Sequence, residues 1–225
     1  MYAKYGDFEH AKSIFNAFAE RDVVTWNALI AGYVQGGCFQ EALEIYTKML
    51  ECSVNPSNAT YVSIMKACSN MEDLEHGQIV HSCIVENGIE PGLSMQNILI
   101  DMYCKCGSVE NAEMIFIRLP RRNEVTCNAL LLGHTLHKHI DNAFHVFNQM
   151  QQEGIKASLA TFLGILKACS KVPMVDQGKN IHAQIIERQF GTDLCIQNSL
   201  INMYVKGSCM LDAYQVFDSL SCKDA

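Results

Sequence analysis

The chain has 225 residues, with 24 acidic against 17 basic side chains for a formal charge of -7, and 49% apolar against 18% charged residues. Such apolar content excludes a disordered chain. The acidic balance excludes a generally basic, histone-like binder of nucleic acid, so any phosphate contact must come from a local stripe. No apolar run approaches the roughly 18 residues of a spanning helix, and no membrane partner is expected.

The segment Met1 to Glu9 lacks an apolar core and carries acids early, so it reads neither as a signal peptide nor as a transit peptide. Eleven cysteines, scattered and without a CxxC pair, point to a reduced compartment and not to a disulfide framework. The first helical stretch carries Ile14, Phe15 and Phe18 and is expected to leave them without a proper cap, a feature of a truncated array. Next, Trp26, Leu29, Ile30 and Tyr33 recur at helical spacing, predicting a helix from about Thr25 to Val34. Gly36-Gly37 breaks it. A second helix is predicted from about Phe39 to Leu50, with Ala42, Ile45, Tyr46 and Met49 on one face, and Asn55-Pro56 ends the pair.

Further along, the same pattern returns. Shifting the sequence by 101 residues aligns it with itself without a gap. Asn27-Ala28-Leu29 falls on Asn128-Ala129-Leu130, and Lys66-Ala67-Cys68-Ser69 falls on Lys167-Ala168-Cys169-Ser170. Asn97, Leu99, Ile100, Met102, Tyr103 and Lys105 fall on Asn198, Leu200, Ile201, Met203, Tyr204 and Lys206. Within that period lie units of 35, 35 and 31 residues, each two short helices. A lone hairpin of this size cannot bury its apolar stripe, whereas stacked neighbours can. Nothing reads as a strand. The expected fold is all-α, a right-handed superhelical α-solenoid of helix-turn-helix repeats.

The units resemble pentatricopeptide repeats in the plant-type order of P-type, L-type and S-type motifs. Val24-Thr25-Trp26-Asn27-Ala28-Leu29-Ile30 is similar to the opening of a P-type unit. Lys66-Ala67-Cys68-Ser69 followed by Gly77-Gln78-Ile79-Val80-His81 is similar to an L-type unit, and Asn97 to Gly107 to an S-type unit. The resemblance divides the chain into a partial S unit 1–22, P 23–57, L 58–92, S 93–123, P 124–158, L 159–193 and S 194–224. Ala157 stands where Pro56 would recur, and Gly207 where Cys106 would.

The resemblance implies single-stranded RNA as partner, one base per repeat. It implies that the fifth and last residues of P-type and S-type units touch the base edge. Here these are Asn27 with Ser57, Asn97 with Asn123, Asn128 with Ser158 and Asn198 with Asp224, with Asp22 left from the partial unit. An amide offers donors and an acceptor, matching the O2/N3 edge of a pyrimidine. An ionised Asp224 suits the N3–H of uracil. Val62 and Leu163 occupy the fifth place of the L units and cannot hydrogen-bond. The implied pattern, 5′ to 3′, is C, any, C/U, C, any, U. Second residues Val24, Ala59, Ser94, Val125, Ala160 and Cys195 would sandwich the bases, and Lys4, Lys105, Lys171 and Lys206 would meet phosphates. Taken residue by residue, an asparagine near a helix start is also a common cap, and the lysines also suit a solvated surface.

His134, His137, His139 and His145 cluster, but three of them align with Tyr33, Gly36 and Cys38 at a helix end and turn, which argues against a zinc site. Cys104 and Cys106 are too close for CxxC geometry, Cys68 and Cys169 read as small core residues, and His81 and His182 as packing residues. Neither the H-x-E nor the C-x-x-C of a zinc deaminase occurs. No enzyme and no cofactor is therefore expected. The resemblance implies a targeting factor in organellar RNA processing or C-to-U editing, mitochondrial or chloroplast, with an RNA-editing enzyme or other editing factors in trans. A helical scaffold for a partner protein, or a truncated product without independent function, remains open at this point.

Overall fold

The computed structural model describes residues 8–17, 21–172 and 174–221, which hold thirteen helices and no strand. The chain divides into two compact units, Met1–Ile117 and Arg118–Ala225.

The first unit contains α1 (Phe8–Ala17), α2 (Val23–Gln35), α3 (Phe39–Glu51), α4 (Asn58–Met71), α5 (Leu74–Glu86), α6 (Leu93–Lys105) and most of α7 (Val109–Arg118). The first helices of its repeats lie side by side, α2 on α4 on α6, and α3 and α5 each pack on their own first helix and on the next one. The second unit repeats this with α8 (Glu124–Leu136), α9 (Ile140–Gln152), α10 (Leu159–Cys169), α11 (Val175–Glu187), α12 (Leu194–Lys206) and α13 (Met210–Ser221). There α8, α10 and α12 form the first-helix layer, with α9 and α11 seated behind it. Among the described residues no helix is long and apolar enough to cross a membrane.

The cores follow from the apolar stripes. Trp26, Leu29, Ile30 and Tyr33 of α2 are buried, as are Ala42, Ile45, Tyr46 and Met49 of α3. Full burial of a side chain such as Ile30, Ile64 or Ile165 contributes about 1.5–3 kcal/mol. Rings tie α5 to α6, α9 to α10 and α11 to α12. Phe147 meets Phe162 with centroids 6.1 Å apart, and the His81 and His182 rings stand edge-on to Tyr103 and Tyr204.

Phe15 departs from the exposure expected of the first helix. It is buried, edge-on to Trp26 at 4.7 Å, under the Arg21 guanidinium at 4.9 Å. Ile14 is exposed, and Phe18 lies outside the described residues. The larger apolar exposure lies on α13: Phe217 is 55% exposed, while Phe116 at the same register is 3% exposed.

Candidate nucleic-acid interface

Most first helices begin on a side-chain cap, and the cap is the last residue of the preceding repeat. Asp22 Oδ1 accepts from the Thr25 amide at 2.8 Å and from its hydroxyl at 2.6 Å. These two bonds, the hydroxyl's first, hold the Asp22 carboxyl below its ordinary pKa. Ser57 caps α4, and its own amide donates to Thr60 Oγ1 at 2.8 Å. Asn123 Oδ1 caps α8 through the Thr126 amide at 2.9 Å and hydroxyl at 2.8 Å. Ser158 occupies the N-cap of α10 and donates its amide to Thr161 Oγ1 at 3.2 Å. Asp193 caps α12 through the Cys195 and Ile196 amides, whereas α6 starts at Gly92 without a side-chain cap. Each such cap satisfies a backbone donor that the helix itself cannot.

The asparagines at fifth places are not caps. Asn27, Asn97, Asn128 and Asn198 each lie one turn inside a first helix. Asn27 reaches over to the cap of the next first helix. Its Nδ2 donates to Ser57 Oγ at 2.8 Å, and its Oδ1 accepts from Thr60 Oγ1 at 2.5 Å. The pair expected to share one base is therefore in direct contact. In the second unit the equivalent pair is bridged. Asn128 Nδ2 donates to Glu124 Oε1 at 3.1 Å, and Ser158 Oγ donates to the same oxygen in a short bond. Asn128 Oδ1 is buried without a partner. Asn97 is buried on α6 of the first unit, Asn123 belongs to the second unit, and Asn198 is exposed on α12. Asp224 lies outside the described residues.

Val24, Ala59, Ser94, Val125, Ala160 and Cys195 are all exposed near the starts of their first helices. Each lies three residues before the fifth place, which on a helix is the same face. The first-helix layer therefore presents, in each unit, exposed side chains at second places beside an asparagine or the apolar Val62 and Leu163.

The lysines divide. Lys206 is exposed, and no partner reaches it among the described residues. Lys105 pairs with Asp101 at 2.9 Å on an exposed surface, a bond worth at most about 1 kcal/mol. Lys171 does something else. Because α10 closes at Cys169, Lys171 falls in the turn, and its Nζ donates to the carbonyls of Thr135 at 2.6 Å and Leu136 at 3.3 Å. It closes the C-terminal end of α8. Desolvation first, then Lys167 and Lys138, pull its ammonium below the ordinary lysine range. Lys4 lies outside the described residues.

His134 is buried in the last turn of α8, His137 follows it as C-cap, His139 is the N-cap of α9, and His145 is exposed. Among the described residues no group of three His, Cys, Asp or Glu side chains could hold a metal ion. Burial pushes the Cys68, Cys104 and Cys169 thiols up to about 12, as befits core residues. His81 and His182 are half-buried, with Nδ1 at 2.8 Å and 2.9 Å from the Tyr103 and Tyr204 hydroxyls.

Helical hairpins stacked in series, with an asparagine recurring in α2, α6, α8 and α12, define a helical-repeat protein. Models of the PPR repeat match residues 21–70 and 122–171, and 97–124 and 198–224. The chain belongs to the pentatricopeptide repeat family. A chloroplastic pentatricopeptide repeat-containing protein of Arabidopsis thaliana is 33% identical over 221 residues, covering 98% of this chain and 27% of the relative. A mitochondrial one from the same plant is 35% identical over 220 residues, covering 98% of this chain and 21% of the relative. The chain thus spans about a quarter of the length of these relatives. The fold is shared with the pentatricopeptide repeat protein PPR10, solved in complex with an 18-nt psaJ RNA element, at a TM-score of 0.82 and 23% identity over 97% of this chain and 32% of that one.

Proposed function

We propose that the chain is a sequence-selective module for single-stranded RNA, built from P-type, L-type and S-type units and serving as a targeting factor in organellar RNA processing or C-to-U editing. The contact between Asn27 and Ser57 carries this reading: two side chains 30 residues apart in sequence meet at 2.8 Å beside exposed Val24 and Ala59. Base edges meet the amides, the exposed small residues flank the bases, and Lys105 and Lys206 meet phosphates. The small flanking residues keep stacking at or below the low end of the ~1–3 kcal/mol per base of aromatic platforms. Chloroplastic and mitochondrial relatives support an organellar site of action. The deamination chemistry then comes from an enzyme in trans.

The test is fluorescence anisotropy with labelled single strands. A strand carrying cytosine, pyrimidine, cytosine and uracil opposite the Asn27, Asn97, Asn128 and Asn198 repeats binds more tightly than one carrying purines there. Equal affinity for both strands removes the proposal, and leaves the helical scaffold for a partner protein as the reading of the fold.

A further inference from the structure

The second unit holds a cleft of about 290 Å³ between α11 and α13, floored by α12. Residues three, four and seven apart share one face of an α-helix. Gln197, Leu200 and Tyr204 therefore line the floor together, while Cys195 and Asn198 lie around α12 from them, toward the opposite face. His182 and Ile186 of α11 form one wall, and Asp212, Val216 and Ser219 of α13 the other. The mouth is open because two places are small: Gly191 and Ser219 stand where the 101-residue shift puts Glu90 and Arg118 in the first unit. Gln197 is the unusual member. It is 6% exposed, and among the described residues no hydrogen bond reaches its side-chain amide. A buried amide in that state is rare, and it offers a donor beside an acceptor to whatever enters. Two turns along α12, about 10 Å away, the Tyr204 hydroxyl lies 2.9 Å from His182 Nδ1. At that end of the cleft Asp212 pairs with Lys179 at 3.0 Å on a partly exposed rim.

We propose that this cleft binds a purine nucleoside, at a site separate from the RNA path. The Gln197 amide complements the polar edge of a purine, the amine and ring nitrogen of adenine or the N1–H and O6 of guanine. No partner fixes that amide, so it turns to suit either edge. Ile186, Leu200 and Val216 supply the apolar surface that covers the flat ring. The ribose hydroxyls donate to Asp212, as they do to the acidic residue of a dinucleotide site. A free nucleoside and a purine of a bound strand share this chemistry. The placement favours the free nucleoside, since a strand lying over Cys195 and Asn198 must cross around α12 to reach Gln197.

The experiment is isothermal titration calorimetry of the full chain with adenosine, alone and with a saturating matched strand that carries adenine opposite its L units. Adenosine is expected to bind, with an affinity that the strand leaves unchanged. Gln197→Leu is expected to weaken adenosine roughly tenfold and, by removing a buried unpaired amide, to raise the melting temperature of the free chain. Gly191→Glu copies Glu90 into the mouth and also weakens adenosine. A Cβ at Gly191 meets only Ile186, at 3.7 Å or beyond, so the fold tolerates it. Both variants keep the wild-type affinity for the strand. Absence of adenosine binding overturns the proposal, as does equal adenosine affinity in wild type and both folded variants. Displacement of adenosine by the strand overturns the separate site and gives the cleft to RNA. A chain that binds adenosine but no strand supports the cleft and overturns only the RNA-binding reading.

Discussion

Asn27 on α2 donates its amide to Ser57, the cap of α4, at 2.8 Å, and Thr60 closes the triangle with a 2.5 Å bond to the same amide's oxygen. One serine thus starts a helix and orients the side chain that the RNA reading assigns to a base. Removing its hydroxyl strips both roles. Ser57→Ala is expected to cost about 1 kcal/mol, lowering the melting temperature by about 2–4 °C. Differential scanning calorimetry measures it; an unchanged melting temperature would show that the cap carries no weight.

The lysines separate by what their ammonium groups touch. Lys105→Gln and Lys206→Gln are each expected to flatten the salt dependence of RNA affinity, by about 0.7 in the log–log slope for each phosphate no longer neutralised. Lys171→Met is expected to leave the slope alone and lower the melting temperature, because its partners are the Thr135 and Leu136 carbonyls. Binding isotherms across a salt series and thermal melts of the three variants decide between the two roles.

The histidine–tyrosine pairs give a pH dependence with a definite sign. Burial lowers the His81 and His182 pKa below the ordinary 6.5, so the folded chain binds fewer protons there than the unfolded chain. Their contribution is level above about pH 6.5 and falls as the pH drops below it toward the folded-state values. For His182, the Asp212 carboxylate opposes part of the shift. Thermal melts between pH 7 and 5 should show wild type losing stability faster than the His81→Gln/His182→Gln variant. Parallel curves would contradict it.

Cysteine reactivity probes the open face of α12. Cys195 and Cys52 are exposed, whereas Cys68, Cys104 and Cys169 are buried with thiols pushed up to about 12. Alkylation at neutral pH should mark the first two and spare the buried three. Bound RNA should slow the reaction at Cys195, beside Asn198, and leave Cys52, at the end of α3, unaffected. Peptide mass mapping reads both, and equal protection at the two places would count against the proposed path.

Much of this architecture is legible in the sequence, because repetition tests the helical pattern several times over. The helix spans differ slightly: α2 runs from Val23 to Gln35, wider than Thr25 to Val34, since Asp22 caps it three residues before Thr25. That same spacing, Asp22–Thr25, Ser57–Thr60, Asn123–Thr126 and Ser158–Thr161, is a capping signature, masked in the sequence because the family resemblance assigns these last residues to bases. Lys171 shows the limit of alignment. It shares an offset with Lys105, but α10 stops two residues short of it, and the turn redirects the side chain to α8. Glu124 is visible in the sequence only as a mismatch with Val23. Its effect depends on a three-way contact that no linear pattern contains.

The most direct test changes one rung and leaves its cap. In Ser57→Asp, aspartate caps α4 as well as serine does, and the repeat acquires the Asn–Asp pair that Asn198 and Asp224 form in sequence. Affinities for the four bases opposite this repeat should shift from cytosine to uracil, with preferences elsewhere unchanged. An identical base ranking before and after the substitution, in a folded chain that still binds RNA, would contradict the account.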